Sequence, residues 1–336
     1  MNITKCDVQC IWGGTLTGVI LKSNTVENDK SGPTTKIIGI HGWLDNLNSL
    51  LPLAKQLLHR HPNYEIYLYD RAGHGFSSHL PKGFDYSAIQ NAQDLRTVVQ
   101  SLGWNKEKFS IIGHSYGAML GIIVSSMNIC IELALTCVYC IQYAASYSEE
   151  VSCLVAIDAL PRSETSSENL FEIYGARIDK SLEFHKRPIR IFNTDLTLEK
   201  ALELTKATRD GITDEAARLL VERSVRSDAN SKLHFTRDEA LKLFSLQASA
   251  DDLIKNMIQN VKAPLLFIGA SKPQWPRPQK SIDLFKQYHT RFDVTFIDGP
   301  HHLHMTHVQE VVDCIEQHFN KYLHHSSTLT IENSKL

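Results

Sequence analysis

Short apolar runs alternate along the chain with longer segments in which apolar residues recur every three or four positions. The short runs are typical of buried β-strands, and the longer segments have the spacing of amphipathic helices. The predicted strands span residues 8–12, 16–21, 36–40, 65–69, 109–113, 152–157, 263–269 and 293–297. The predicted helices span residues 47–58, 86–102, 196–208, 214–225, 279–289 and 307–322. This alternation indicates an α/β protein with a mostly parallel sheet flanked by helices.

The alternation is interrupted once. Residues 161–261 are charged and helical in spacing, and they lack the apolar runs that would add strands to the sheet. We therefore predict a core formed by residues 1–160 and 262–324, with 161–261 inserted as a helical cap after the sixth strand. The polar, weakly patterned residues 325–336 are predicted to form a flexible tail.

One segment departs from the pattern. Between Ala118 and Ser146 the chain carries a single charge, Glu132, over 29 residues, which is long enough to raise the question of a membrane span. Its place between two consecutive core strands favours a buried helix instead. An alternative hypothesis is that residues 124–142 come from a retained intron or a gene-model error, because removing these 19 residues leaves one helix of ordinary length.

Composition narrows the functional classes. The 336 residues include 35 basic and 37 acidic side chains, and the net charge of -2 offers no basic field for nucleic acid. The expected partner is therefore a small neutral or apolar molecule. The seven cysteines lack Cys-x-x-Cys spacing and no secretory leader opens the chain, so we expect reduced thiols inside a cell.

The chain ends in Ser334, Lys335 and Leu336, the tripeptide that peroxisomal import receptors read as an address. The preceding residues are polar, so the tripeptide could reach a receptor unhindered. We expect a peroxisomal protein that binds this import receptor, and a cytoplasmic one if the signal is not used.

The strongest chemical signal is a Gly-x-Ser-x-Gly motif, residues 113–117, directly after the predicted strand 109–113. A serine on a sharp strand-to-helix turn is held in strained backbone geometry, and the flanking glycines let neighbouring backbone pass closely. Such a turn would expose Ser115 Oγ above the sheet as a nucleophile. The pentapeptide also occurs in ordinary loops, where the serine has no catalytic role. The strand before it, the oxyanion loop upstream and the histidine downstream favour the nucleophile.

A nucleophilic serine needs a base to accept its proton. His301 lies just beyond the last predicted strand, where a loop can bring its imidazole over the elbow, and His302 and His304 compete for this role. With His307, the same cluster also invites a metal interpretation. The spacing fits no zinc motif and no thiolate or carboxylate is grouped with it, so no metal site is predicted.

The acid that orients the base is the least defined member. An aspartate commonly follows the penultimate strand of such a sheet, but the sequence from Gly269 to Pro273 contains no acid. Asp158, at the end of the strand after the elbow helix, lies beside the nucleophile and is the alternative. An aspartate shortly before Pro161 could also serve only to turn the chain.

The oxyanion of the reaction needs backbone donors. The sequence from His41 to Asn46 follows an early buried strand, where the N–H of Trp43 could pair with that of Tyr116, the residue after the nucleophile. The turn from Asp70 to Ser78 is interpreted as a scaffold near the elbow. The glycines of this turn and of the motif around Ser115 match neither a P-loop nor a dinucleotide-binding motif, so no cofactor is expected.

Through residues 41–46, 70–78, 113–117 and 299–305, the chain resembles the α/β-hydrolase superfamily, and within it the serine hydrolase-like proteins, over residues 5–323. This resemblance implies the α/β-hydrolase fold, Ser115 as nucleophile, His301 as base and a helical cap at about 161–261. Haloalkane dehalogenases and epoxide hydrolases share this scaffold but use an aspartate as the nucleophile at the elbow. Ser115 at that position excludes their mechanism. We expect a serine hydrolase of the esterase or thioesterase type, acting on an ester, thioester or related acyl bond; the alternative is a binding protein that kept the fold without the activity.

Overall fold

The computed structural model describes residues 1–24, 33–115, 135–161, 170–186, 196–243, 251–273 and 277–324. Its strands are β1 (Asn2–Lys5), β2 (Val8–Gln9), β3 (Thr15–Leu16), β4 (Gly18–Lys22), β5 (Thr35–Ile40), β6 (Tyr64–Tyr69), β7 (Phe109–His114), β8 (Val151–Ile157), β9 (Val225–Ser227), β10 (Leu233–Phe235), β11 (Leu265–Ala270) and β12 (Phe292–Ile297).

The helices within the same ranges are α1 (Leu51–Arg60), α2 (Ala88–Ser101), α3 (Leu135–Ser146), α4 (Leu170–Lys186), α5 (Leu198–Ala207), α6 (Asp214–Ser224), α7 (Asp251–Asn260), α8 (Gln279–Tyr288), α9 (Leu303–Thr306) and α10 (Val308–Phe319). Short 3-10 turns occupy Leu47–Ser49, Trp104–Lys106 and Glu239–Lys242, and a π turn continues α10 at Asn320–His324. Side chains cap several helix starts: Ser87 accepts a hydrogen bond from the third residue of α2, and Thr197 and Thr213 do the same for α5 and α6.

An eight-stranded sheet forms the centre of the fold in the order β1-β4-β6-β5-β7-β8-β11-β12. The pairs β1–β4 and β4–β6 are antiparallel, and every pair from β6 across to β12 is parallel. Parallel strands end at one edge of a sheet, so the residues that follow β5, β7, β8 and β12 converge there. The predicted mostly parallel sheet is confirmed.

Helices cover both faces of this sheet. One buried cluster joins β-strand side chains to α2, α3, α7 and α8, and the other joins them to α1 and α10. In α10, Val311, Val312, Ile315 and Phe319 follow helical spacing and are fully buried, which explains why this segment forms a helix against the sheet.

The order of elements agrees with the sequence pattern, with local differences. β8 is the sixth strand of the eight-stranded sheet along the chain, and α4 to α7 come between it and β11. The strand predicted at 8–12 is shorter, because β2 pairs only with β3 before the chain enters β4. The β9–β10 pair was not predicted. The division into core, cap and tail stays a prediction.

The apolar segment after the nucleophile is described in part. Residues 116–134, which include more than half of the hypothesised insertion at 124–142, lie outside the described ranges. α3 begins within that insertion, and Cys140, Ile141, Tyr143 and Ala144 are buried in the core, as expected for a helix beneath a sheet. Within the described ranges, every helix is too short or too polar to cross a bilayer.

Candidate active site

Ser115 directly follows β7, at the edge where the parallel strands end. Its backbone N–H donates to the carbonyl oxygen of Ile157 in β8 at 3.1 Å, which fixes the turn against the neighbouring strand. The residue is only 3% exposed, which differs from the exposed serine that the sequence predicted. Tyr116, the second predicted oxyanion donor, lies outside the described residues. The structure thus places the predicted nucleophile at a buried strand end.

The loop after β5 packs closely against this turn. A Cβ atom on Gly42 would lie 2.7 Å from the carbonyl oxygen of Ser115 and 3.0 Å from Nδ1 of His114. Only glycine can accept such an approach without displacing backbone. Trp43, the predicted oxyanion donor, follows Gly42 and is buried. The loop predicted to supply the oxyanion donor therefore adjoins the nucleophile.

His301 lies between β12 and α9 and is 2% exposed. Its Nδ1 is 2.6 Å from Oδ2 of Asp158. Its Nε2 is buried and has no hydrogen-bond partner in the described part of the chain, the hydroxyl of Ser115 included. In a serine triad the carboxylate holds Nδ1 and the nucleophile faces Nε2. The structure therefore gives His301 and Asp158 the contact that a triad requires, and Nε2 of His301 has no partner among the described residues.

Asp158 follows β8 and uses both of its carboxylate oxygens. Oδ2 contacts His301, and Oδ1 accepts the backbone N–H of Ala270, at the end of β11, at 2.8 Å. The backbone of Asp158 has a φ of 53°, a left-handed conformation that aspartate adopts more readily than most residues. Asp158 thus both turns the chain and binds the candidate base, so the two interpretations of this residue are compatible.

The competing histidines have other partners. Nε2 of His302 lies 3.3 Å from Oδ2 of Asp45, and Nε2 of His304 lies 2.7 Å from Oγ of Ser49. In both residues the nitrogen engaged is therefore the one that a triad keeps for the nucleophile. His307 contacts Oγ1 of the adjacent Thr306 through Nδ1. Of the three candidates for the base, His301 alone has the required arrangement.

His114 joins these histidines into a buried cluster. Its Nε2 is 3.1 Å from the carbonyl oxygen of His301, and its ring centroid lies 3.8 Å from that of His304 and 5.1 Å from that of His302. Sequence reasoning missed this residue, because His114 occupies a variable position of the Gly-x-Ser-x-Gly motif. His114 is the last residue of β7, and this position brings its ring into contact with the other histidines.

Burial determines the charge of the cluster. It lowers the pKa values of His114 and His304 well below the usual range, because the imidazolium would lose its hydration and face other histidines. Burial also lowers the pKa of His302, although Asp45 opposes this shift. These three side chains are therefore neutral near neutral pH and add no positive charge beside Ser115.

Asp45 and Arg209 form a buried ion pair under the cluster, with the guanidinium 2.8 Å from Oδ1 of Asp45. Burial raises the pKa of the Asp45 carboxyl. Arg209 and, to a smaller extent, His302 lower this pKa by more than burial raises it, so the pKa of Asp45 lies well below its usual range. Asp45, His114 and His302 each offer one potential metal ligand within 4.8 Å of the others. The charge of Arg209 on the same carboxylate opposes a second cation there. The group shares His302 with the histidines considered above, and Asp45 supplies the carboxylate that the sequence did not place beside them. Sequence reasoning missed Asp45 and His114 because both are distant from His302 along the chain.

The turn after β6 is joined by hydrogen bonds to the segment after β5 and to α6. Asp70 is fully buried and accepts the backbone N–H groups of Leu47 at 2.8 Å and Phe76 at 2.7 Å. Arg223 of α6 donates to the same carboxylate at 2.7 Å. His74 contacts the carbonyl oxygen of Ala72 at 2.9 Å. These contacts agree with the scaffold role that the sequence indicated for the turn.

Comparison with known proteins shows the family of the chain. Residues 37–314 match the sequence model of the Alpha/beta hydrolase family. The chain belongs to this family. A "Serine hydrolase-like protein" from Danio rerio is 28% identical over 292 residues, which cover 83% of the chain and 79% of the relative. "Serine hydrolase-like protein 2" from Homo sapiens is 27% identical over 299 residues, 83% of the chain and 85% of the relative. The predicted resemblance to serine hydrolase-like proteins is confirmed, and these relatives support a hydrolase.

Solved structures share the fold. A hypothetical protein from Pseudomonas aeruginosa superposes with a TM-score of 0.73 at 22% identity, covering 95% of the chain and 99% of that protein. A thioesterase domain from the curacin biosynthetic pathway has the same TM-score of 0.73 at 16% identity, covering 94% of the chain and all of the domain. At these identities the similarity shows the fold alone, and the predicted α/β-hydrolase fold is confirmed.

Proposed function

We propose that the protein is a serine hydrolase that cleaves an ester, thioester or related acyl bond of a small, apolar substrate through an acyl-enzyme. The observation that carries this proposal is the contact of His301 Nδ1 with Asp158 Oδ2 at 2.6 Å, with the Nε2 of His301 buried and unpartnered among the described residues. Ser115 lies at the same sheet edge, directly after β7, which is the strand next to β8.

The proposed reaction has two steps. Ser115 Oγ attacks the substrate carbonyl carbon, its proton passes to Nε2 of His301, and the same nitrogen then protonates the departing alcohol or thiol. In the second step a water molecule gives a proton to Nε2 of His301 and attacks the acyl carbon, and the acid product leaves as that proton passes from His301 to Ser115 Oγ. Asp158 holds the imidazole and stabilises its positive charge. The N–H groups of Trp43 and Tyr116 are proposed to bind the oxyanion.

A second candidate function is binding without catalysis. Two observations favour it: Ser115 is 3% exposed, and Nε2 of His301 makes no hydrogen bond to the serine hydroxyl. Catalytic hydrogen bonds are often long in structures without substrate, so the missing contact between Ser115 and His301 does not exclude the hydrolase.

A fluorophosphonate probe separates the two functions. We expect the probe to label the folded wild-type protein on the peptide that contains Ser115, because it needs an activated serine and an oxyanion site. Ser115→Ala should abolish labelling. Ser271→Ala, in the loop after β11, serves as a matched control and should label at the wild-type rate. Folded wild-type protein that takes no label would refute the hydrolase and leave the binding function.

The same samples can define the substrate. Hydrolysis of p-nitrophenyl esters of increasing chain length, and of the corresponding coenzyme A thioesters, should show a preference among acyl groups that Ser115→Ala eliminates. Equal rates for wild type and Ser115→Ala on every compound would contradict an acyl-enzyme at Ser115.

A further inference from the structure

Arg209 follows α5 and reaches across to the loop after β5. Its Nε and Nη2 donate to Oδ1 of Asp45 at 2.9 and 2.8 Å, and Nη2 also donates to the carbonyl oxygen of Leu44 at 2.9 Å. Its Nη1 donates to the carbonyl oxygen of Thr205 at 3.3 Å and to Oγ1 of Thr208 at 3.1 Å. The side chain is 8% exposed, and all three of its nitrogens are engaged.

The contacted loop contains a strained turn. The N–H of Asp45 donates to the carbonyl oxygen of Gly42 at 3.3 Å, and Leu44 between them has a φ of 59°. Turns with a positive φ at the third residue favour glycine or asparagine, so a leucine there needs support from its surroundings. Arg209 binds the two residues that follow Trp43 in this turn.

We propose that Arg209 is a positioning residue, which holds the Gly42–Asp45 turn, and with it the backbone N–H of Trp43 that the proposed oxyanion site uses, where Gly42 packs against Ser115. This inference rests on the proposed function, because it assigns the turn to the oxyanion site of that reaction. Arg209 acts here through the backbone and touches neither substrate nor the reacting atoms.

The Asp45 carboxylate connects the same arginine to the base. Its Oδ2 lies 3.3 Å from Nε2 of His302 and 3.8 Å from Nδ1 of His114, and Nε2 of His114 lies 3.1 Å from the carbonyl oxygen of His301. Without Arg209, Asp45 would be a buried carboxylate that has lost its cation. Loss of the guanidinium therefore loosens the oxyanion turn and the histidine loop together.

The test compares Arg209→Gln with wild type in the full-length chain. We expect kcat for a p-nitrophenyl ester to fall about 10²-fold while KM changes by less than about threefold, because a displaced oxyanion donor weakens transition-state binding. The rate of labelling by the fluorophosphonate probe should fall by a similar factor. Amide hydrogen exchange in peptides covering residues 41–50 should become faster.

Three further variants separate positioning from general destabilisation. Arg96→Gln removes a partly buried arginine of α2 that binds Glu150 at 2.7 Å, before the start of β8 and at the opposite sheet edge from the site, and should lower stability while changing kcat by less than about threefold. Arg209→Lys keeps a positive charge beside Asp45 but lacks the planar guanidinium that also reaches Leu44. This variant should fold even if Arg209→Gln does not, and its kcat should be about tenfold below that of wild type. Leu44→Gly in the Arg209→Gln background should recover about tenfold in kcat, because glycine adopts the positive φ without strain.

The outcomes are distinct. A labelled wild type whose folded Arg209→Gln variant keeps kcat and its exchange rates overturns the role of Arg209 and leaves the hydrolase intact. Equal losses of kcat in Arg209→Gln and Arg96→Gln, or no recovery from Leu44→Gly, also overturn it. A wild type that takes no label overturns the proposed function and, with it, the role given to Arg209.

Discussion

Asp158 serves two partners with one side chain. Its Oδ2 binds the candidate base and its Oδ1 binds the N–H of Ala270, while its backbone adopts a left-handed conformation. An asparagine can adopt the same backbone conformation and still accept the Ala270 hydrogen bond. The residue can therefore be changed chemically with little change in its geometry.

We predict that Asp158→Asn lowers kcat about 10⁴-fold, because the amide group would donate to Nδ1 of His301 and place the proton on Nε2, where it blocks transfer from Ser115. Steady-state hydrolysis of the best p-nitrophenyl ester measures the effect, and thermal unfolding shows that the variant folds.

The matched control is Asp298→Asn. Asp298 is exposed in the loop that leads to His301, and it accepts a hydrogen bond from Ser271. Its substitution should change kcat by less than about threefold. Full activity in Asp158→Asn would remove this residue from the mechanism.

Individual residues of the site differ in how well the sequence predicts them. Ser115 follows from a motif and its strand, and Asp158 from the end of the next strand. The choice among His301, His302 and His304 needed coordinates, because it depends on which ring nitrogen meets which carboxylate. Arg209 could not be predicted, since it contacts Asp45 across 164 positions of the chain.

At the scale of elements, tight turns set the places where strands end. Gly75, in the turn after β6, has a φ of 50°, and a Cβ there would lie 2.2 Å from Cγ of the buried Asp70. That carboxylate also binds the N–H of Leu47 and the side chain of Arg223. The glycine is thus required both for its backbone conformation and for space.

We predict that Gly75→Ala lowers the free energy of unfolding by about 3 kcal/mol, of which roughly 1–2 comes from the left-handed backbone and the rest from overlap with Asp70. Urea unfolding measures the change.

Gly103→Ala provides the comparison. Gly103 has a φ of 71°, but a Cβ atom added there would meet no described atom within 4 Å, so only the backbone cost of roughly 1–2 kcal/mol should remain. Equal losses in the two variants would show that space around Asp70 is unimportant.

The sequence predicted the long elements better than the short ones. α5 and α6 lie within a residue or two of their predicted bounds, because their apolar spacing and N-terminal threonine caps agree. β9 and β10 are three residues each and only partly buried or exposed, so they carry too little apolar pattern to be recognised. Their pairing depends on the elements around them.

At the scale of the whole molecule, buried neutral histidines make stability depend on pH. The pKa values of His114 and His304 lie well below their usual range, so both remain neutral in the folded protein when the unfolded chain begins to bind protons. The unfolded state then binds more protons, and stability present above about pH 6.5 is lost as the pH falls below it.

We predict that the free energy of unfolding falls by about 1 kcal/mol for each of these histidines between about pH 7.5 and pH 5.5. Urea unfolding at the two pH values measures the loss, and His304→Gln should reduce it by about 1 kcal/mol. Ser49→Ala removes the contact of His304 at 2.7 Å without removing a titratable group, so it should lower stability equally at both pH values. A stability independent of pH across this interval would contradict the assignment.

The import signal predicted at Ser334, Lys335 and Leu336 lies outside the described residues and stays a prediction. The same holds for the peroxisomal location and for a receptor as partner.

The position of Asp158 has a consequence for how the protein can change over time. Since the proposed acid directly follows β8, the segment after β11 supplies no residue to the proposed reaction. Its length and composition can therefore change without removing a catalytic group. An engineer could graft a short tag or fluorophore there without rebuilding the reaction centre.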